Sequence, residues 1–223
     1  MTRDNESIMS SVQEAVQINA EFPLRMSAAL VNTPVRIIQI ATDCVYSGLK
    51  GGYVETDKHD PIDVYGKTKS LGEVKGENYL NLRVSIIGPE IGRSTSLLEW
   101  FLNQPSNAGL KGYANHFWNG VSTYQFARVA LGVIKQSNFE AGSFHLLPSD
   151  KVSKFELLHL FRQIYNRHDI GIEEVFPDTI IDRTLYSEDL ERNEKLWLNA
   201  GYLRIPTIKE NIEEMKLFSE NPL

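Results

Sequence analysis

The chain has 223 residues, 42% hydrophobic and 23% charged, with 29 acidic against 23 basic residues for a net charge of −6. That length suffices for one large or two small domains with a buried core. An acidic chain repels phosphate backbones, which argues against nucleic acid as a partner. No apolar run approaches the roughly 20 residues of a membrane helix, and the start, Met1-Thr-Arg-Asp-Asn-Glu-Ser, lacks the apolar stretch of a secretory signal. The single cysteine, Cys44, rules out an intramolecular disulfide framework and a multi-cysteine zinc site, and fits a reducing, cytoplasmic setting.

In chain order, residues 8–31 carry apolar positions near a 3.6 period and predict a helix, with Pro23 marking a kink or break. Val35–Ala41 is β-branched and mostly apolar, which suits a parallel strand covered on both faces. A loop with Gly48, Gly51 and Gly52 follows. Pro61 opens a helix running to about Lys75. Tyr79–Ile87 reads as a strand closed by Gly88-Pro89. Leu97–Leu102 and Thr123–Ile134 read as helices, Ser143–Leu147 as a short strand, and Phe155–Tyr165 and Ile208–Phe218 as the last helices. Alternating strands and helices give an α/β class with a parallel sheet. The expected division is 1–90, carrying the sheet, and 91–223, a smaller mixed α/β lobe, with 122–147 returning to the sheet.

No GxxxxGK[ST], HExxH or GxSxG occurs, and the five histidines have no metal-ligand spacing, so no metal is expected. Tyr-x-x-x-Lys occurs twice, as Tyr46/Lys50 in the glycine loop and as Tyr65/Lys69 in a predicted helix. In a helix, i and i+4 share a face. An ammonium there favours the phenolate and lowers the tyrosine pKa from near 10. Tyr65 can then protonate a carbonyl oxygen as hydride reaches its carbon. Nothing fixes that geometry for Tyr46/Lys50. Thr42 ends the Val35–Ala41 strand, where ligands of such sheets bind, and its hydroxyl can hold the carbonyl. The plain alternatives are a turn cap for Thr42 and a buried helix aromatic for Tyr65. Trp100 and Phe101 read as core, Phe117-Trp118-Asn119-Gly120 as a loop at the cleft mouth, and Trp197 as lobe packing.

Three blocks carry a resemblance: Ile40-Ala-Thr-Asp-Cys-Val-Tyr-Ser-Gly48, Tyr53-Val-Glu-Thr-Asp57 and Pro61-Ile-Asp-Val-Tyr-Gly-Lys-Thr-Lys-Ser-Leu-Gly-Glu73. With Asn81-Leu-Arg-Val-Ser-Ile-Ile-Gly-Pro89 and Ser96-Leu-Leu-Glu-Trp-Phe-Leu102, the chain resembles the extended short-chain dehydrogenase/reductases, in particular the dTDP-4-dehydrorhamnose reductase group. The resemblance covers about Glu14 to Glu214. It implies a Rossmann-like sheet and reduction by NADPH or NADH of a 4-keto sugar on a nucleotide diphosphate, in the making of cell-surface polysaccharide. Residue by residue, Tyr65 is the general acid, Lys69 binds the nicotinamide ribose and lowers the Tyr65 pKa, and Thr42 orients the carbonyl. Gly88 and Pro89 lie near the nicotinamide. Asp43, Tyr46, Arg83 and Trp118 fall where the sugar pocket is expected; Arg83 has a structural ion pair as its alternative, and Asn19 a helix-end amide.

Two departures bear on this. Ile86 stands where the group usually has tryptophan after Arg-x-Ser, which leaves the sugar open. No Gly-x-x-Gly-x-x-Gly turn precedes the Thr42 strand, so the pyrophosphate-holding turn of the fold is expected to lie outside this chain. The alternatives are a non-catalytic regulatory or binding relative and a sugar-nucleotide epimerase or dehydratase. An apolar strand edge and an uncovered helix face also predict marginal stability, aggregation, or pairing with another polypeptide, as a homodimer or with a missing N-terminal segment.

Overall fold

The computed structural model describes residues 5–90, 96–136 and 139–220. The chain opens with α1 (Asn5–Val16), a π-helical turn (Gln17–Glu21) and α2 (Phe22–Leu30). Pro23 does not break this run. The Phe22 N–H reaches back five residues to the Gln17 carbonyl, and the wider turn absorbs the proline at the start of α2. Because Pro23 has no N–H, the Asn19 carbonyl loses its usual helical donor.

Strand β1 (Ile37–Thr42) leads through a short 3-10 turn (Asp43–Val45) and the glycine loop to α3 (Val64–Leu71). Asp63 caps α3 by accepting the Gly66 N–H at 2.7 Å. Two glycines let α3 lie backbone to backbone on its neighbours. A methyl group at Gly66 would overlap the Cys44 carbonyl oxygen, and one at Gly72 would overlap the Asn19 carbonyl oxygen. The strand read over Tyr79–Ile87 is two pieces, β2 (Tyr79–Val84) and β3 (Ile86–Ile87). Helix α4 (Leu97–Leu102), strands β4 (Gly109–Tyr113), β5 (His116–Trp118) and β6 (Val121–Ser122), and α5 (Thr123–Lys135) follow. Then come β7 (Gly142–His145), β8 (Val152–Ser153), α6 (Lys154–Ile164), β9 (Gly171–Val175), β10 (Ile181–Asp182), α7 (Leu190–Asn199) and α8 (Ile208–Glu220).

The main sheet is parallel in the order β1-β2-β7, so β1 is an edge strand among the described residues. Small sheets β10-β5-β8, β3-β6 and β4-β9 build the rest. Side chains alternate along β2, and all six of its residues are buried. Leu80, Leu82 and Val84 join Val129 and Val133 of α5 and Leu196 and Trp197 of α7 in one apolar cluster. Tyr79, Asn81 and Arg83 point the other way and are hydrogen-bonded: Tyr79 to the Pro23 carbonyl (3.0 Å), Asn81 to the Val74 carbonyl (2.8 Å), Arg83 to Glu73 (2.7 Å). A second core joins Phe101 of α4, Leu157 and Phe161 of α6, and Ile208, Ile212 and Met215 of α8. Trp197 thus packs on the sheet side, where its indole N–H reaches the Leu147 carbonyl at 2.7 Å. Among the described residues no helix is long and apolar enough to cross a membrane.

Candidate active site

Thr42 closes β1 and its hydroxyl does two jobs: it accepts the Cys44 N–H at 3.2 Å and donates to the Asp43 carboxyl at 3.2 Å. It is therefore a turn cap as well as a polar group at the carboxyl end of the strand. Tyr65 sits on the first turn of α3 and is 49% exposed. Burial of its hydroxyl end pushes the phenol above its ordinary value, while hydrogen bonding with Thr42 pulls it down. Thr42, Asp43 and Tyr65 thus come together, since the Asp43 charge also acts on Tyr65.

Lys69 lies one turn further along α3. Its ammonium donates to the Ile40 carbonyl at 2.6 Å, and burial lowers its pKa against the pull of Glu73. The influences that act most on the Tyr65 phenol are burial, Thr42, Cys44, Asp43 and Asp63, while the Lys69 ammonium is engaged by the strand edge. Asn19 donates its amide to Thr68 Oγ1 at 3.1 Å and so ties the π-turn to α3. Tyr65 and Lys69 expose donors on one face of α3, which suits the hydroxyls of a nicotinamide ribose. Gly88 accepts from Ser96 Oγ at 3.2 Å. Pro89 lines a groove with Tyr124, Leu131 and Phe218.

Two residues expected in the sugar pocket, Tyr46 and Arg83, are both buried. Tyr46 is fully buried and stacked on Tyr53 with ring centroids 4.3 Å apart. Its hydroxyl donates to the Val54 carbonyl and accepts from Arg83, both at 3.0 Å. Arg83 is 5% exposed. It pairs with Glu73 and also reaches the Glu55 carbonyl (3.0 Å) and His145 (3.4 Å). The polar side-chain atoms of both are hydrogen-bonded within the chain. They form the hub that holds the glycine loop against β2 and β7, so Arg83 follows its ion-pair alternative.

Other residues gather around Asp43. Trp118 is buried in the α4–α6–α8 core, and its indole N–H donates to Ser85 Oγ at 2.8 Å. Ser85 hydrogen-bonds Asp43 in turn. Burial pushes the Asp43 carboxyl up, and the charges of Arg183 and Lys154 draw it down. Burial also pushes the Cys44 thiol up to about 11, which leaves it protonated and unreactive. Asn119 lies beside the cleft and clasps Leu185, donating to its carbonyl (2.7 Å) and accepting its N–H (2.9 Å). Phe101 is core as expected, but Trp100 is partly exposed. It lines a cavity of about 520 Å³ with Leu97, Tyr113, His116 and Lys154.

Lys154 and Arg183 escaped the sequence reading. Lys154 did carry a signal. It is the first residue of α6, right after the Ser153 cap, where a cation opposes the helix dipole. Arg183 had none, because it arrives through long-range pairing: Asp182 N–H to the Gly48 carbonyl (2.7 Å) and a Tyr53–Leu185 bridge. Among the described residues no cluster of His, Cys, Asp or Glu could hold a metal.

The family model described as the RmlD substrate binding domain matches residues 6–180. A dTDP-4-dehydrorhamnose reductase from Bacillus anthracis in complex with NADP has a similar fold. The TM-score is 0.73 at 19% identity, over 93% of this chain and 74% of that one. A dTDP-4-dehydrorhamnose reductase ortholog from Clostridium acetobutylicum gives 0.73 at 24% identity, over 95% and 75%. A dTDP-glucose 4,6-dehydratase from Streptomyces venezuelae with NAD and TYD bound gives 0.66 at 15%, over 99% and 71%. No curated protein matches the chain. These likenesses, all under 25% identity, agree with a Rossmann-like α/β fold.

Proposed function

The chain belongs to the RmlD substrate binding domain family, and from that premise we propose that it reduces the 4-keto group of a nucleotide-linked sugar with NADPH or NADH. The supporting observation is the meeting of Thr42, Asp43 and Tyr65 at the carboxyl end of β1, with Lys69 one turn along α3. Thr42 holds the keto oxygen by hydrogen bonding. Tyr65 donates its phenolic proton to that oxygen as negative charge develops there. The bound nicotinamide supplies the hydride. Lys69 turns from the Ile40 carbonyl to the ribose hydroxyls, and its charge there favours the phenolate that Tyr65 leaves behind. The half-exposed Tyr65 and the mobile reach of a lysine fit such a cofactor on this face. The cavity lined by Trp100 and Tyr113 suits a nucleotide base, because aromatic faces stack on any base. The partner is then a nucleotide-diphosphate sugar, the setting is cytoplasmic, and the product serves cell-surface polysaccharide.

The test is NADPH oxidation with a 4-keto sugar nucleotide. Turnover should fall by about 10²–10⁴-fold in Tyr65→Phe, the usual weight of a positioned acid. Lys69→Met should weaken NADPH binding, measured by calorimetry. Nucleotide-sugar binding with no NADPH binding or turnover would favour the non-catalytic reading.

A further inference from the structure

Beyond Thr42, Tyr65 and Lys69, the cleft contains two cations that no carboxylate grips. The Lys154 ammonium stands 5.5 Å from the Trp118 ring centroid. Among the described residues it makes no hydrogen bond or ion pair. Arg183 Nη1 meets only the Cys44 sulfur at 3.7 Å, and its Nε is buried without a partner. Both charges act on Asp43 and Cys44. No ion pair joins Asp43 to either cation; its carboxyl accepts instead from the Thr42 hydroxyl at 3.2 Å and the Cys44 thiol at 3.8 Å. Two positive charges therefore stand within electrostatic reach of each other and of Asp43, with Lys154 at the start of α6, whose dipole adds to its charge. Desolvated cations left without a counterion are costly, and a ligand anion is what relieves that cost.

Their place on the substrate follows from Thr42. Its hydroxyl is bonded to Asp43, so groups that face Asp43 face the ring atoms flanking the carbonyl carbon. The diphosphate hangs from the carbon across the ring. We propose that Lys154 and Arg183 form an anion subsite for a carboxylate on the sugar itself, next to the keto carbon, so that the preferred substrate is a nucleotide-linked acidic sugar. This rests on the reading that Thr42 holds the keto oxygen. Burial lowers the Lys154 ammonium to about 8, against the pull of Asp43 and Cys44 and helped by Arg183. Affinity for the acidic sugar should accordingly decline as pH rises through about 8.

Calorimetry on the full chain tests this with glucose and glucuronic acid, each carried on uridine or thymidine diphosphate, and with the bare diphosphates. The expected result is at least tenfold tighter binding of the glucuronic acid compound than of the glucose compound. Lys154→Met and Arg183→Met should each bring that ratio near one, and Lys154→Arg should keep the ratio. A wild-type ratio of one overturns the proposal and leaves the reductase reading standing. Equal weakening of all ligands by both variants also overturns it, because the cations then hold the diphosphate. If the folded wild-type chain binds none of the ligands, both readings fall.

Discussion

The two faces of β2 are equally buried and are held in opposite ways. On one, Leu80, Leu82 and Val84 meet α5 and α7 through apolar contact alone. On the other, Tyr79, Asn81 and Arg83 reach α2 and the segment just after α3 through directed hydrogen bonds. Apolar contact is additive and tolerant of repacking. A buried polar network is unforgiving, since each lost partner leaves a desolvated group behind. Helix α3, which carries Tyr65 and Lys69, lies on the polar side. The difference teaches that this molecule uses area to hold its layers together and directional bonds to set where Tyr65 and Lys69 stand.

The strongest way to break that contrast is Arg83→Ala. It strands the Glu73 carboxylate, whose side chain is only 6% exposed, and frees the Tyr46 hydroxyl. The expected loss is about 3–5 kcal/mol in urea unfolding; a loss below about 1 kcal/mol would mean that the polar face is no more exacting than the apolar one. Phe161→Leu, in the α4–α6–α8 core, should cost less than about 1.5 kcal/mol as a near-conservative apolar swap. A loss matching that of Arg83→Ala would erase the distinction. The smallest effect concerns pH. Burial and the Arg83 charge hold the His145 imidazole below its ordinary value, with Glu55 opposing. The folded state therefore takes up this proton later than the unfolded one. Stability should be complete above about pH 6.5 and decline as pH falls below it. Thermal unfolding at pH 7.5 and 5.5 measures the decline, and His145→Gln should shrink it. His59, lowered by burial and by Arg83, acts in the same direction.

Much of the site was legible because Thr42, Asp43, Tyr65 and Lys69 fall within one strand–turn–helix passage, where periodicity and capping rules apply directly. Tyr46 lies in the same passage, yet its burial depends on Arg83 from β2 and Tyr53 from the loop, and no local pattern carries that. Arg183 was invisible for the same reason, since it comes to Cys44 from 139 residues away. Helix α7, Leu190–Asn199, was missed because its sequence is mostly polar and only Asn193, Leu196 and Trp197 are buried. The kink or break read at Pro23 is a continuous helical run, because the wider π-turn before it takes up the proline. Strands such as β4, Gly109–Tyr113, are too short and glycine-rich to stand out from turns without their partners.

The contact between Gly72 and the Asn19 carbonyl has a consequence for anyone rewriting this sequence. It is a junction between two stretches of main chain, with no side chain to trim or swap. A library that varied position 72 through all twenty amino acids should return functional clones with glycine alone, while Leu71, which is 66% exposed, should accept nearly anything polar. Two adjacent letters of the chain would then differ as sharply in tolerance as a keyhole and the paint beside it.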